Sequence, residues 1–390
     1  MTTSNHPFAG RVLDSALDAI GNTPLIRMDR IAKAHNLQCN LYGKVEYFNA
    51  GGSIKDRAAR CMLEAAEREG ILTPGKSVLI ECSAGNAGMA LAMMGCLKGY
   101  RTVIVMPDHM STDKDLILRA LGAEVVRAPD PAPKIVARKL AETIPSAVML
   151  DQFANPNNPL AHELTTAPEI IAAIESIIGS DRPTSGKVDV VCASGGSGGT
   201  LTGVARGLRK LHNPDVKVIG SDSMGSVLAQ PDTLNDSNDP ICLEGAGLKF
   251  VPENLDRSCV SKWIKVTDAE GFGATVQIHR LEGLLVGGSS GAIVAGVLKY
   301  LKSDEGWKEF GGVEGKNVVA LLPDGIRNYL TQEWLLNSFS DAVDSPYANE
   351  IEHALKFAQG QGSRSVSPPI ASLVTQDKNL TDPATVTVPV

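Results

Sequence analysis

The sequence predicts an α/β protein in which mostly parallel strands alternate with helices. Short runs rich in Val and Ile precede longer helical stretches, first across residues 76–144 and again across 188–339. This alternation is typical of right-handed βαβ units, whose helices cover both faces of a parallel sheet. With 43% hydrophobic and 21% charged residues among 390, the chain has the composition of a globular protein with a large core.

The elements follow in order. A first helix is expected at 54–70, where Ile54, Ala58, Met62 and Ala66 recur every four residues. Ser53 is its expected N-cap, with Asp56 completing a capping box and Gly70 ending the helix. Strands are predicted at 76–82, 101–107, 123–129, 188–194, 216–222 and 316–325, and further helices at 87–99, 114–122, 133–144, 200–211, 293–301 and 327–339.

Charge and composition exclude several classes of partner. The net charge of -7 argues against nucleic acid and anionic membranes, which require basic surfaces. No run approaches eighteen apolar residues, so no membrane span is expected, and the first twenty residues do not resemble a secretory signal. The seven cysteines show neither a CxxC pair nor zinc-ligand spacing, so no metal is expected. We therefore expect a cytoplasmic protein with reduced thiols.

Lys55 stands in the first turn of the first predicted helix, in the stretch GGSIKDR. The helix dipole places partial positive charge there, so an ammonium group is disfavoured. The lysine is either an ordinary surface charge or an amine whose pKa is lowered so that it can form a Schiff base.

Three loops rich in small residues follow predicted strands or open helices. Gly195–Thr200 ends a strand and opens a helix, which is either a simple turn or a cradle of N–H groups for a phosphate. Glu81–Gly88 offers N–H groups and the Asn86 amide to a small anion. The serines of Val286–Ala292 are either helix caps or partners of a ligand. Ligands of parallel sheets bind beside such loops.

These motifs together resemble a known family. FNAGGSIKDR, GNTPL, SAGNAG, GGSGGTLTG, GGSSGA and LLPDGIRNY are similar to those of the fold type II pyridoxal-phosphate enzymes, the cysteine synthase and cystathionine β-synthase group. The resemblance runs from about residue 17 to 335 and is greatest to the cystathionine β-synthase catalytic core. It implies a tryptophan synthase β-like fold, with two αβα subdomains and mostly parallel sheets, and pyridoxal 5'-phosphate as cofactor.

The resemblance also implies roles for individual residues. Lys55 would carry the cofactor as a Schiff base and act as general base, and Asn86 would bind its 3'-oxygen. Gly196, Ser197, Gly198, Gly199 and Thr200 would bind its phosphate, and Ser289 would face the ring nitrogen. The substrate would be bound by Ser83, Ala84, Gly85, Ala87, Gln152, Glu244 and Gly245.

A neutral serine at the ring nitrogen implies a weak electron sink, which favours loss of a β-substituent over transamination. The expected reaction is β-elimination or β-replacement on serine, an O-acylserine or cysteine through an aminoacrylate, with a thiol as nucleophile. A nitrogen or carbon nucleophile is the alternative enzyme, and a catalytically reduced ligand sensor is the alternative of another class.

The carboxylate loop departs from the family, which usually has T-S-G-N-T where this chain has Ser83-Ala84-Gly85-Asn86-Ala87. Each hydroxyl lost from a carboxylate site costs about 1.5 to 3 kcal/mol of binding if nothing replaces it.

The expected organisation has three parts. An N-terminal arm at 1–16 precedes a catalytic domain at 17–345, and a partly disordered tail follows at 346–390. Within the domain, a large subdomain covers about 17–55 and 175–345, and a small mobile one about 56–174. The family implies a homodimer that binds an amino acid and a nucleophile.

Overall fold

Two separate sheets organise the chain. A computed structural model describes residues 12–83, 85–129 and 131–339. The described strands are β1 (Leu25–Arg27), β2 (Asn40–Val45), β3 (Val78–Cys82), β4 (Arg101–Pro107), β5 (Glu124–Ala128), β6 (Ala147–Met149), β7 (Val190–Ser194), β8 (Lys217–Ser223), β9 (Lys262–Val266) and β10 (Asn317–Leu322). As far as Ser338, the described residues pack as one unit.

The helices connect and cover these strands. They are α1 (Asp29–Ala34), α2 (Lys55–Arg68), α3 (Asn86–Lys98), α4 (Thr112–Ala120), α5 (Pro133–Thr143), α6 (Asn157–Ala161), α7 (Ala167–Glu175), α8 (Gly199–Leu211), α9 (Asp268–Gln277), α10 (Gly288–Lys302), α11 (Asp304–Gly306) and α12 (Glu333–Phe339). Short 3-10 or π-helical segments lie at Ala16–Ala19, Glu46–Phe48, His162–Thr166, Asp232–Leu234, Arg257–Cys259, Ile278–Glu282, Trp307–Gly311 and Ile326–Tyr329. No described helix is both long and apolar enough to cross a bilayer.

The larger sheet has the strand order β1-β2-β10-β7-β8-β9, and only the β1–β2 pair is antiparallel. Its middle strand β10 pairs Leu322 with Val45 on one side and Val318 with Val190 on the other. All six residues of β10 are buried, because helices cover both faces of the sheet. The smaller sheet has the order β5-β4-β3-β6 and is wholly parallel. The predicted α/β class with parallel sheets is confirmed.

Several sequence predictions need correction. The apolar stripe of α2 is buried as expected, but Ile54 is the N-cap residue and no capping box forms. The Ser53 hydroxyl instead accepts from the Lys55 N–H at 3.2 Å, and Asp56 accepts from the Gly51 N–H at 2.6 Å. The helix predicted at 327–339 is wrong in its first half, because a 3-10 turn at Ile326–Tyr329 precedes α12.

The proposed subdomain bounds stay a prediction. The tail predicted at 346–390 and most of the N-terminal arm lie outside the described residues.

A buried group of four charged side chains holds the start of α2. Arg57 lies two residues after Lys55, and its Nε donates to Glu46 at 2.7 Å. Its Nη1 donates to Glu169 at 2.7 Å, and Lys44 Nζ donates to Glu169 at 2.6 Å. Burial alone would raise the pKa of Glu46, but Arg57 and then Lys44 lower that pKa to about 2. Two cations and two anions therefore neutralise one another beside the cleft.

Candidate active site

A cleft opens where the carboxyl ends of the parallel strands meet. Its volume is about 1040 Å³, including the solvent-filled entrance. The loops after β2, β3, β7, β8 and β10 all contribute to its walls. Parallel sheets bind ligands at this edge, because their strands end there side by side.

Lys55 lies at the floor of the cleft. Its Nζ is 3.3 Å from the Ser197 hydroxyl, which belongs to the glycine-rich loop on the opposite side. Burial lowers the pKa of Lys55 to about 8, and the negative charge of Asp324 partly opposes that shift. A substantial fraction of the amine is therefore neutral near pH 8, as a Schiff-base lysine requires.

The glycine-rich loop joins β7 to α8. Gly198 has φ +84°, and a Cβ there would lie 2.6 Å from Leu255, so only glycine fits. Gly196, Ser197, Gly198 and Thr200 line the cleft. Gly199 is not among the lining residues, and a Cβ there would lie 2.0 Å from the Asn158 side chain. The N-terminus of a 13-residue helix with this open backbone is suited to a phosphate.

Two polar side chains support this loop from behind. Asn158 Nδ2 donates to the Ser197 hydroxyl at 3.0 Å, and the Thr200 hydroxyl lies 3.2 Å from His162 Nε2. Burial, and then Arg57, lower the pKa of His162 to about 3, so its ring is neutral.

Asn86 is the first residue of α3 and lines the cleft. Its Nδ2 donates to Asp324 Oδ2 at 2.7 Å, and its Oδ1 accepts from Asn328 Nδ2 at 2.7 Å. Ser289, the second residue of the buried helix α10, lines another wall with 4% of its surface exposed. These residues provide an amide at the start of α3 and a neutral hydroxyl at the start of α10, both lining one cleft.

The predicted substrate residues also line the cleft wherever they are described. They are Ser83, Gly85, Ala87, Gln152, Glu244 and Gly245, whereas Ala84 lies outside the described residues. The Ser83 hydroxyl accepts from the N–H groups of Gly85 at 3.4 Å and Gly88 at 3.2 Å, and so stabilises the start of α3. Glu244 forms an ion pair with Lys114, a lysine with only 1% of its side chain exposed.

Sequence reasoning assigned no role to four further residues of this region. Lys114, Asn328 and Tyr329 line the cleft, and Asp324 is buried behind them. Three of the four lie in the motif LLPDGIRNY, which was a usable signal. Lys114 lies near an ordinary helix start, and nothing in the sequence indicated that it pairs with another residue of the cleft.

Comparison with protein families gives the decisive observation. The family model described as "pyridoxal-phosphate dependent enzyme" matches residues 16–324. The chain belongs to this family. The predicted family and cofactor are confirmed, and pyridoxal phosphate is the cofactor of this enzyme.

Individual relatives agree with the family match. The enzyme is 42% identical to cystathionine β-synthase of Oryctolagus cuniculus over 338 residues, which is 84% of this chain and 58% of the relative. It is 36% identical to "cysteine synthase 3" of Caenorhabditis elegans over 86% of this chain and 94% of the relative. The chain thus spans 58% of the length of that first relative.

A solved structure of O-ureido-L-serine synthase has the same fold. It is 33% identical to the enzyme with a TM-score of 0.73, over 86% of this chain and 98% of that one.

The donor set of the cleft fits pyridoxal phosphate. Gly196, Ser197, Gly198 and Thr200 line the cleft at the start of α8, where backbone N–H groups suit a phosphate, and Lys55 lies 3.3 Å from the same loop. Asn86 and Ser289 offer a neutral amide and a neutral hydroxyl for the ring. The residues present could therefore hold the phosphate, the ring and the covalent bond to a lysine at once.

Proposed function

We propose that the enzyme replaces or eliminates the β-substituent of serine, an O-acylserine or cysteine, with a thiol as the incoming nucleophile. The observation that carries the proposal is the placement of the Lys55 amine at the floor of the cleft, 3.3 Å from the loop suited to a phosphate. The similarity to cystathionine β-synthase and cysteine synthase supports a thiol nucleophile.

Bound pyridoxal phosphate supplies an electron sink for the substrate α-carbon. Lys55 would hold the cofactor and, once displaced by the substrate amine, take the α-proton at Nζ. The backbone of Gly196–Thr200 would bind the phosphate and thereby hold the cofactor within reach of Lys55. Ser289 would face the ring nitrogen, where its neutral hydroxyl carries no charge to hold a proton. This arrangement favours loss of the β-substituent over transamination.

The amino-acid substrate would lie between the loop after β3 and the loop after β8. Ser83, Gly85, Ala87 and Gln152 line one side and Glu244 and Gly245 the other, and we assign Ala84 to the same substrate group. The N–H groups at the start of α3 would bind the substrate carboxylate, with fewer side-chain hydroxyls than the family's usual loop offers. We therefore expect weak binding of unmodified serine.

Product analysis tests the proposal directly. The holoenzyme would be incubated with serine, O-acetylserine or cysteine, together with an equimolar mixture of homocysteine, sulfide and a primary amine. We expect thioether or thiol amino acids as the main products by mass spectrometry, and none with Lys55→Ala. Amine adducts as the main product would favour the alternative enzyme, and no product with any donor would favour the ligand sensor.

We further propose that the enzyme is a cytoplasmic homodimer with two subdomains. Family resemblance supports the dimer and the subdomains, and an odd number of cysteines suits a reducing compartment. Light scattering after gel filtration would give the mass, and a value of one chain, 41.1 kDa, would contradict the dimer.

A further inference from the structure

Asp324 lies where three loops of the active site meet. It follows the middle strand β10, and its backbone pairs with Ser53 of the lysine loop. Its carbonyl oxygen accepts from the Gly287 N–H at 3.0 Å, next to the start of α10. Its side chain is fully buried and accepts from Asn86 of α3. One residue therefore contacts the segments that carry Lys55, Asn86 and Ser289.

The carboxylate of Asp324 is held in one place. Oδ2 accepts from Asn86 Nδ2 at 2.7 Å and from the Tyr329 hydroxyl at 2.6 Å. Oδ1 has no hydrogen-bond partner among the residues that the structure describes, and a Cβ at Gly287 would lie 2.2 Å from it. A buried carboxylate oxygen without a hydrogen-bond donor lowers the stability of the fold. Such a group in a native protein therefore calls for a functional explanation.

The contact also determines how the Asn86 amide is oriented. A carboxylate only accepts hydrogen bonds, so the nitrogen of the amide must be the atom that points to Asp324. Asn328 donates to the amide oxygen from the other side. Both ends of the amide are therefore fixed, with the nitrogen toward Asp324 and the oxygen toward Asn328.

Asp324 also acts on Lys55 through its charge. It is the negative group that opposes the effect of burial on the amine. The charge of Lys55 in turn helps to lower the pKa of His162, whose ring is neutral. Glu81 lines a small cavity together with Lys55, and burial raises the pKa of its carboxyl to about 8. Burial first, with Glu244 adding to it, raises the pKa of Asp324 to about 6, against the hydrogen bonds from Tyr329 and Asn86 and the charge of Lys114. Asp324 is therefore ionised above pH 6.

We propose that Asp324 is a positioning residue of the cofactor site, which fixes the direction of the Asn86 amide and supplies the negative charge that acts on Lys55. The inference rests on the proposed role of Lys55 as the cofactor lysine. It assigns a function to a residue that contributes no atom to the lining of the cleft.

Two substitutions separate the two effects. Asp324→Asn keeps an oxygen that can accept from Asn86 and Tyr329 but removes the charge, whereas Asp324→Ala removes both. The readouts are the dissociation constant for pyridoxal phosphate and the midpoint of the pH titration of the cofactor's visible absorbance, measured on holoenzyme between pH 6.5 and 10.

For Asp324→Asn we expect the midpoint to fall by about one pH unit or more, because an opposite charge near a cation is lost. Its cofactor affinity should stay within about threefold of wild type, a small free-energy change. Asp324→Ala should show the same fall and also bind the cofactor about tenfold more weakly.

Asp222→Asn is the matched control. Asp222 is an equally buried carboxylate that does not line the cleft. Its Oδ2 forms an ion pair with Lys265 Nζ at 2.8 Å. Its loss should lower thermal stability without moving the titration midpoint. A wild-type midpoint in Asp324→Asn would overturn the charge role, and wild-type cofactor affinity in Asp324→Ala would overturn the orienting role.

Neither readout requires turnover. An enzyme that binds the cofactor but transfers no thiol would contradict the proposed function and leave this inference standing.

Discussion

Arg57 and Glu46 form an ion pair that is sealed from solvent, with Arg57 Nε 2.7 Å from Glu46 Oε2 and 1% and 0% of the two side chains exposed. Arg57 lies on the first turn of α2 with Lys55, and Glu46 follows β2. The pair therefore fixes the lysine-bearing helix to the larger sheet.

Glu46→Gln should destabilise the protein strongly. The substitution leaves Arg57 and Lys44 with only the Glu169 carboxylate, and an uncompensated buried charge costs about 3 to 5 kcal/mol. Guanidinium unfolding would measure the loss. Glu124→Gln is the matched control, because Glu124 pairs with Arg101 on the surface with 56% of its side chain exposed. Glu124→Gln should lower the free energy of unfolding by less than about 1 kcal/mol. Equal losses in the two variants would contradict the importance of the buried pair.

The same carboxylate predicts a pH dependence of stability. The pKa of Glu46 is about 2 in the folded protein against an ordinary value of 4.5. Its stabilising effect is therefore complete above pH 4.5 and is lost as the pH falls toward 2. The free energy of unfolding would be measured from pH 6 to 2.5. Below pH 4.5 it should fall less steeply in Glu46→Gln than in wild type. Parallel curves would show that other groups cause the acid sensitivity.

Attachment of the cofactor should follow the titration of Lys55. Burial places the pKa of its amine near 8, and only the neutral amine reacts with an aldehyde. With cofactor-free protein, the rate at which the visible absorbance appears should rise about tenfold per pH unit below 8 and level off above it. Lys55→Ala should give no such band. A rate that is flat from pH 6 to 9 would contradict the lowered pKa.

Gly198→Ala should weaken binding of the cofactor phosphate. Alanine at this position meets both a left-handed backbone, at φ +84°, and the Leu255 backbone at 2.6 Å. Gly99→Ala is the control, since Gly99 has φ +76° at the end of α3 with nothing within 4 Å of its Cβ position. Both variants lose about 1 to 2 kcal/mol of stability from the left-handed backbone alone.

Only Gly198→Ala should raise the dissociation constant for pyridoxal phosphate, by about tenfold or more. Equal affinities in the two variants would show that the loop is a turn and binds no phosphate.

Ala87→Thr should improve binding of the amino-acid substrate. Ala87 lines the cleft next to Asn86, where the family usually carries a threonine. A new hydroxyl that reaches the substrate carboxylate adds about 1.5 to 3 kcal/mol, which lowers KM for serine about tenfold or more. Ala87→Val adds the same volume without the hydroxyl and should not lower KM. Equal KM values for serine in Ala87→Thr and Ala87→Val would contradict a role for the hydroxyl at this position.

The apolar strands and the loops after them could be predicted because each is encoded by residues that are neighbours in the sequence. β10 reads NVVALL without interruption, and the glycine-rich loop follows β7 directly. β2 was not predicted, since Lys44 makes it look exposed. Lys44 is buried because it pairs with Glu169, which comes from a helix 125 residues later. Partners this distant cannot be recognised from one strand's pattern.

Partners that are distant in the sequence also explain why some site residues were not predicted. Lys114 follows Thr112 and Asp113 at a helix start, where the pattern indicates a solvated lysine. It is enclosed because it pairs with Glu244 from the other wall of the cleft. Tyr329 and Asn328 were placed on a helix, whereas the chain turns there so that both side chains reach Asp324 or Asn86.

Strand β10 has a consequence for how the enzyme is made. The Ile54 N–H donates to the carbonyl of Pro323 at 2.8 Å, so the segment that presents Lys55 is secured by residues that a ribosome adds about 270 positions later. Long-range pairing of this kind forms late and slowly. We therefore expect the protein to bind its cofactor only after these two distant parts of the larger sheet have paired.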